Sequence, residues 1–367
     1  MNENQYLIEY FKQSPSIIQL AWILSGVFFV AIVPLIFYLK YLRGHLRENE
    51  KIVAKYQNEY EQYLVTYLYA GNEEEEISTE QQVIINQLKE CIKDPFRRKI
   101  LIAVLLKLKN EISGEVAESI QKLYFQTGLI DYTLPKLRSK KWYSIAKGIR
   151  ELRQFQVKEA HDEVIIYINH PKREVRKEMQ LYMVNLFYFE GLDFLNVLET
   201  PLSEWDQIQL LEVLQRFDNQ KIPDIKPWLK SSNDSVVVFA LKLAKIYNQF
   251  EAKEELITML EHPNKEIRIE VIYVLSHLIV LEAKEVLKNN FDERNQEEQI
   301  AIFKMIENLY QNSDEPFLLE YIHHDNFEIK LSALKILKVI NSDTFNSIKT
   351  ASLEPDFLRI VNFIENN

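Results

Sequence analysis

The stretch EAKEELITMLEHPNKEIRIEVIYVLSHLIVL, residues 251–281, is followed directly by EAKEVLKNNFDERNQEEQIAIFKMIENLYQN, residues 282–312. The initial Glu-Ala-Lys-Glu therefore returns at residue 282, and this recurrence extends from about Lys221 to Asn341. Its period of about 31 residues lies within the range of roughly 20–50 residues that indicates a repeat architecture. The type of residue recurs at each step while its identity changes. Such a pattern is typical of a solenoid, in which each unit buries its apolar face against its neighbours.

An asparagine and four apolar positions recur in register along this stretch. The asparagines stand one period apart, at Asn233, Asn264, Asn295 and Asn326. Four apolar columns follow them: Ala240, Val271, Ile302 and Ala333; Leu241, Ile272, Phe303 and Leu334; Ala244, Leu275, Ile306 and Leu337; Tyr247, Leu278, Leu309 and Ile340. Because the apolar residues of one unit have helical spacing, the sequence predicts an all-α solenoid of two-helix repeats.

The composition agrees with a mostly helical chain and excludes several classes of protein. Only 7 glycines occur among 367 residues, and each glycine destabilises a helix by roughly 1 kcal/mol. The net charge of -10 argues against nucleic-acid binding, because phosphate contacts require a basic surface. Cys91 is the only cysteine, so no disulfide framework can form, and a reducing compartment fits.

Residues 17–39, IIQLAWILSGVFFVAIVPLIFYL, form an uncharged run long enough to cross a membrane. As a helix they would span roughly 35 Å, against a bilayer core of about 30 Å. A buried core helix would carry a polar stripe, and a signal peptide would have a basic start and a shorter apolar core. Here Glu3 and Glu9 precede the run, and bulky Tyr38 and Leu39 end it. We therefore predict one retained transmembrane helix.

Basic residues at the two ends of this run predict its orientation. Lys12 stands alone before it, whereas five basic residues follow it closely: Lys40, Arg43, Arg47, Lys51 and Lys55. The positive-inside rule places the basic flank in the cytoplasm. The prediction is a single-pass protein of the cell (plasma or inner) membrane, with residues 1–16 outside and the repeats in the cytoplasm.

Residues 40–78 are predicted to connect the membrane to the repeats, which then cover residues 79–367. A helical stripe rich in tyrosine runs from Ile52 to Leu68 and indicates a stalk helix. We interpret this stripe as packing on the next helix; an interaction surface is the alternative. Glu73–Glu76 form an acidic linker, and Ser78 provides a capping residue for the following helix.

The repeat unit resembles the HEAT repeat. The resemblance rests on an apolar residue followed by a basic one early in the second helix: Val175-Arg176, Ile267-Arg268 and Ile329-Lys330, with Arg98 after Asp94-Pro95 in a similar place. Other units depart from it, with Asp206, Val237 and Gln299 at the basic position. The period is also shorter than the usual length of about 40 residues. The resemblance implies a right-handed superhelix that serves mainly as a protein-binding scaffold.

The motifs of known chemistry are not found in the sequence. It has no phosphate-binding loop, nucleophile motif or cysteine-rich zinc pattern, and adjacent His323 and His324 do not share a helix face. We therefore expect no catalytic residue, cofactor, metal, nucleic acid or small-molecule substrate. Since some HEAT-like proteins resemble phycobilin lyases or alkylpurine DNA glycosylases, such an enzyme is the alternative. A glycosylase would need a basic, aromatic groove, and Trp205 falls in a predicted core column.

A basic ridge is predicted between the core columns of the second helices. Its six residues are Lys242, Lys245, Tyr273, Lys304, Lys335 and Lys338. In HEAT arrays the second helices line the concave side, where such a ridge could bind an acidic partner segment or anionic head groups. Ordinary surface lysines are the alternative. The predicted function is a non-catalytic, membrane-tethered scaffold that binds a protein partner on the cytoplasmic side.

Overall fold

The computed structural model describes residues 15–70, 77–111, 114–217, 222–351 and 355–366. Within these ranges the chain forms helices and turns and no strand. Most of the predicted external segment, the acidic linker Glu73–Glu76 and Lys221 lie outside the described residues. The chain divides into two compact units, Met1–Thr133 and Leu134–Asn367, and each is described by itself. The domain boundaries at residues 16, 39 and 78 stay predictions.

The first unit is built around one long helix. Helix α1 (Ser16–Tyr69) has 54 residues and contains Pro34. It is followed by α2 (Thr79–Cys91), α3 (Pro95–Glu111) and α4 (Glu115–Gln126). Among the described residues, α1 alone is long and apolar enough to cross a membrane, and its most apolar window has a mean hydropathy of 2.5 with none of it buried.

The last part of α1 packs inside the first unit. Tyr60, Leu64 and Tyr67 are buried, and α1 contacts α2 and α3. The Tyr67 hydroxyl donates a hydrogen bond of 2.8 Å to Gln126 Oε1. The predicted tyrosine stripe is therefore largely taken up by packing within this unit.

The second unit consists of two-helix repeats in which most first helices are shorter than the second helices. The helices that follow α4 are, in order, α5 (Ile130–Leu137, across the unit boundary), α6 (Trp142–Gln154), α7 (His161–Ile165), α8 (Arg173–Phe187), α9 (Glu204–Leu214), α10 (Lys226–Leu229), α11 (Asp234–Ile246), α12 (Lys253–Thr258), α13 (Lys265–His277), α14 (Leu281–Asn289), α15 (Gln296–Leu309), α16 (Glu315–Tyr321), α17 (Phe327–Ile340), α18 (Ser342–Ala351) and α19 (Pro355–Asn366). A 3-10 helix, Glu190–Val197, takes the place of the first helix before α9.

The second helices α11, α13, α15 and α17 pack directly on one another in sequence order, and each first helix packs on the second helix of its own repeat. The twelve residues of the first three apolar columns are all buried. In the fourth column only Leu278 is buried, while Tyr247, Leu309 and Ile340 are half-buried. The predicted α-solenoid of two-helix repeats is confirmed.

The recurring asparagines begin the second helices. Each side-chain oxygen accepts a hydrogen bond from a backbone N–H two residues later, at 3.1, 3.0, 3.0 and 2.8 Å for Asn233, Asn264, Asn295 and Asn326. A helix start leaves backbone N–H groups without intrahelical partners, and asparagine is among the best residues to satisfy them. The repeated asparagine is therefore a helix N-cap.

The basic position of the HEAT-like pattern joins the two helices of one repeat. Arg176 Nη1 donates to the carbonyl of His170 at 2.7 Å, and Arg268 Nη1 donates to the carbonyl of His262 at 2.7 Å. In the first unit, Arg98 Nη1 makes the equivalent bond six residues back, at 2.8 Å. These arginines stabilise the turn before their helix.

The second helices α11 and α13 end in the left-handed backbone region at equivalent positions. Asn248 after α11 has φ 48, and Ile279 after α13 has φ 59. In both places the next backbone N–H returns to the carbonyl five residues before it, as in Val280 N to Leu275 O at 3.1 Å. Asparagine adopts this conformation readily, whereas a β-branched residue is strained there.

One pair of charges is enclosed between neighbouring repeats. Lys284 and Asp314 have no exposed surface, and Lys284 Nζ donates to Asp314 Oδ2 at 2.8 Å and to the Leu309 carbonyl at 3.0 Å. Lys288 Nζ lies 2.7 Å from Asp314 Oδ1. Burial opposes the charge on Asp314, but the hydrogen bonds from the two lysines outweigh it and lower the pKa of that carboxyl.

Candidate functional site

The structure places the predicted ridge on four successive second helices. Lys242 and Lys245 lie on α11, Tyr273 on α13, Lys304 on α15, and Lys335 and Lys338 on α17. Lys245, Lys304 and Lys335 are exposed, and the other three residues are half-buried. The asparagine caps and buried columns fix the rotation of each helix. The ridge is therefore a row of outward side chains held by a packed core.

Three of the five lysines face a partner within the second unit. Lys242 Nζ donates to Gln207 Oε1 at 2.9 Å, and Lys338 Nζ donates to the Ile364 carbonyl at 2.6 Å. Lys335 Nζ lies 4.0 Å from Glu307 Oε1, a loose and exposed ion pair. Lys245 and Lys304 form no ion pair with any residue in the described ranges. These two lysines have the most freedom to meet a ligand.

The column that contains Lys245 and Lys338 is not continuously basic. Between them stand Ser276, which is buried and accepts a hydrogen bond of 3.2 Å from Asn308, and half-exposed Glu307. The column of Lys242, Tyr273, Lys304 and Lys335 contains no acidic residue, and Tyr273 is its one uncharged member. The structure thus brings the predicted residues together as one row with two flanking lysines.

An apolar column beside this row is absent from the sequence-based prediction. Val238, Ile269, Ile300 and Leu331 stand four residues before the members of the row and are all half-buried. Positions four apart lie on the same helix face. The same recurrence that relates the core columns could have revealed this one. The outer face of the second helices therefore combines an apolar column with a basic one.

A groove of about 580 Å³ lies at the C-terminal end of the ridge, between the end of α15, α17 and α19. Its lining includes Lys335 and Lys338 from the ridge. Three large side chains in it are unusually exposed: Tyr310 at 46%, Val339 at 62% and Phe363 at 52%. We call this groove the terminal slot.

Histidines stand in the turns that precede three of the second helices. His170, His262 and His324 each accept, at Nδ1, a hydrogen bond from the backbone N–H two residues later, at 3.0–3.1 Å. His323 instead stacks on Phe357, with ring centroids 5.0 Å apart. In the part of the chain that the structure describes, no group of three or more His, Cys, Asp or Glu is arranged to hold a metal ion.

Trp228 and Trp205 lie in different environments. Trp228 is buried, and its indole N–H donates to Asn196 Oδ1 at 2.9 Å. Trp205 is 58% exposed, so its assignment to a core column is wrong. Helix α9 begins at Glu204, and the buried residues of its first turn are Asp206 and Gln207, so Trp205 lies on the exposed side of that turn.

Comparisons with known proteins identify no family. No family model matches the chain, and no curated protein matches it. Among solved structures, a designed armadillo repeat protein is 15% identical, with 58% of this chain and 100% of that chain covered and a TM-score of 0.31. The complex of CpcE and CpcF of phycocyanin lyase from Nostoc sp. is 12% identical, with 81% and 99% covered and a TM-score of 0.24. At such values these likenesses carry no argument.

Proposed function

We propose that this protein is a non-catalytic scaffold, tethered to the cell membrane by residues 17–39, whose repeats bind an acidic segment of a protein partner on the cytoplasmic side. The observation that carries the proposal is the row of Lys242, Tyr273, Lys304 and Lys335 on four packed second helices. A solenoid repeats such contacts at nearly constant spacing. An extended segment can therefore be bound at successive repeats.

Charge and exposure support an acidic partner. The chain as a whole carries a net charge of -10, yet the row contains three lysines and no acidic residue. Exposed charges are screened over about 10 Å at 0.1 M ionic strength, so the lysines should act mainly on a partner that lies directly on the row. Tyr273 adds a flat contact of the kind that often dominates binding energy.

The membrane tether is proposed from residues 17–39 and from the basic residues that follow them. Its test is cysteine labelling of intact cells with an impermeant reagent, in a Cys91→Ser background. Asn4→Cys should label and Lys304→Cys, an exposed ridge position, should label only after the cells are opened. Strong labelling at position 304 in intact cells, with none at position 4, would reverse the proposed topology.

The ridge is tested by charge reversal with a matched control. The triple change Lys242→Glu, Lys304→Glu and Lys335→Glu should weaken capture of the partner, most strongly at low salt. The control reverses three exposed lysines that lie outside the second helices themselves: Lys158, Lys172 and Lys230. Capture is measured by crosslinking in native membranes followed by mass spectrometry. Equal capture by both triple variants would exclude the ridge, and recovery of no protein together with turnover of a small substrate would exclude the scaffold.

A further inference from the structure

We propose that the terminal slot binds a short segment of the partner in which an acidic residue stands beside a large apolar one. This inference rests on the proposed function and names the chemistry that the last repeat recognises. It also places one end of the bound segment at the slot, because Lys335, the last lysine of the row, lines the slot.

The walls of the terminal slot are apolar and open to solvent. Tyr310 follows α15, Val339 lies on α17, and Phe363 lies on α19, so three separate elements contribute one exposed side chain each. Beneath them Ile336 and Ile364 are buried. Ligand sites in proteins have this form, with a concave, mostly apolar lining and a few polar groups. A side chain the size of leucine or phenylalanine fits a groove of about 580 Å³.

Of the three charged side chains that line the terminal slot, two are cationic. Lys338 uses one of its N–H donors on the Ile364 carbonyl at 2.6 Å, and an ammonium group has three. Lys335 Nζ is 4.0 Å from Glu307, beyond hydrogen-bonding distance. Both lysines can therefore donate to a carboxylate that enters the slot. Among the described residues that line the slot, Glu307 alone is acidic, so a basic segment would find weaker complementarity.

The terminal slot lies where both the basic row and the neighbouring apolar column of the second helices end. The apolar column ends at Leu331 and the basic row ends at Lys335, one helical turn later on α17. Packed helices are about 8–10 Å apart, and an extended chain advances about 3.3 Å per residue. One repeat thus corresponds to about three residues of an extended partner. A segment bound along several repeats would present an acidic residue at about every third position.

The experiment selects binders from phage-displayed random short peptides, with the full-length chain in nanodiscs as bait. The expected result is enrichment of peptides that pair Asp or Glu with Leu, Ile or Phe. An enriched peptide, made with a fluorophore, should then bind Val339→Asp at least about tenfold more weakly, a loss of about 1.4 kcal/mol. The matched control is Val286→Asp, because Val286 is an exposed valine on the first helix α14.

A second pair of variants tests the charge. Lys335→Glu should weaken binding of the same peptide, whereas Lys230→Glu, at an exposed position just after the first helix α10, should leave the affinity unchanged. Enrichment of basic peptides, no enrichment, or equal binding by Val339→Asp and wild type would overturn the proposal. So would a wild-type dimer that Val339→Asp dissociates, since a second copy would then occupy the slot. If partner capture still depends on the ridge, only the slot is refuted and the scaffold stands.

Discussion

The same four residues, Glu-Ala-Lys-Glu, occur at the start of two consecutive first helices, across the beginning of α12 and in the first turn of α14, and their lysines lie in different environments. At α12, Lys253 Nζ pairs with Glu282 at 2.9 Å, and the Glu282 side chain is 62% exposed. At α14, Lys284 Nζ pairs with Asp314 at 2.8 Å, and neither side chain has exposed surface. Identical local sequences therefore produce a surface ion pair in one repeat and a buried ion pair in the next.

The difference arises in the repeat that follows. Asp314 stands one period after Ala283, which itself stands one period after Ala252, and all three positions are buried. A carboxylate at this small-residue position needs a cation, and Lys284 and Lys288 of the preceding repeat supply it, at 2.8 and 2.7 Å. The comparison teaches that the energetic role of a residue in a repeat array is determined by its neighbour as much as by its own motif.

The largest expected effect comes from Lys284→Ala. It leaves the Asp314 carboxylate buried with fewer partners, and breaking a buried ion pair typically costs about 3–5 kcal/mol. Urea unfolding of the detergent-solubilised chain, followed by helical circular dichroism, measures the loss. The equivalent Lys253→Ala should shift the unfolding midpoint only slightly, because exposed ion pairs contribute little. Equal shifts for the two variants would mean that the two environments do not differ in solution.

A smaller effect is expected when both partners are replaced together. Asp314→Ala restores the alanine of the two preceding repeats, and Lys284→Met fills the space of the lysine without its charge. Well-packed apolar replacements of buried ion pairs are often neutral or stabilising. The double variant should therefore be more stable than the sum of the single changes predicts, by up to about 3 kcal/mol. If the stability change of the double variant equals the sum of the two single changes, the two residues are uncoupled.

The pH dependence of stability should also distinguish the buried pair Lys284–Asp314 from the exposed pair Lys253–Glu282. Because the pKa of Asp314 is lower in the folded chain than in the unfolded chain, its stabilising effect is present above the unfolded value of about 3.9 and is lost as the pH falls below it. Asp314→Asn should flatten the decline of unfolding free energy in that acid range. The control is Glu282→Gln. Its effect on the free energy of unfolding should also disappear in high salt, because the pair of Lys253 and Glu282 is exposed.

The smallest effect concerns the left-handed position shared by Asn248 and Ile279. Ile279→Asn should raise the free energy of unfolding by about 1 kcal/mol, because it relieves a strained β-branched residue. Ile279 is 65% exposed, so little burial is lost. The reverse change, Asn248→Ile, should destabilise the chain, as judged by thermal melting. If Ile279→Asn proved destabilising, the strain energy at this position would be smaller than the packing energy of the isoleucine side chain.

Much of the fold could be predicted from the recurrence alone. The asparagine caps and three apolar columns follow the period of the sequence because each repeat packs on a nearly identical neighbour. The fourth column was less predictable, since Tyr247, Leu309 and Ile340 stand in the last turn or just beyond it, where the neighbouring helix covers them incompletely. Trp205 was misassigned because the period is irregular before residue 221, so the register of the later repeats does not extend to α9.

The candidate site was predictable in position and less so in chemistry. The row of lysines follows from the repeat, but the contacts of Lys242 with Gln207 and of Lys338 with the Ile364 carbonyl join residues that no local pattern connects. The terminal slot requires the packing of α19 beside α17. The buried state of Lys284 was equally hidden, because its partner Asp314 belongs to the next repeat and departs from the consensus there.

The unbroken helix α1 connects the position of the first unit to the predicted membrane span. If residues 17–39 cross the bilayer, the helix continues from Leu39 to buried Tyr60, a distance of roughly 31 Å at about 1.5 Å per residue. The distance of the first unit from the membrane and its rotation about the axis of α1 are then coupled. Each residue inserted between these points would lift the first unit by about 1.5 Å and turn it by about 100° about the helix axis.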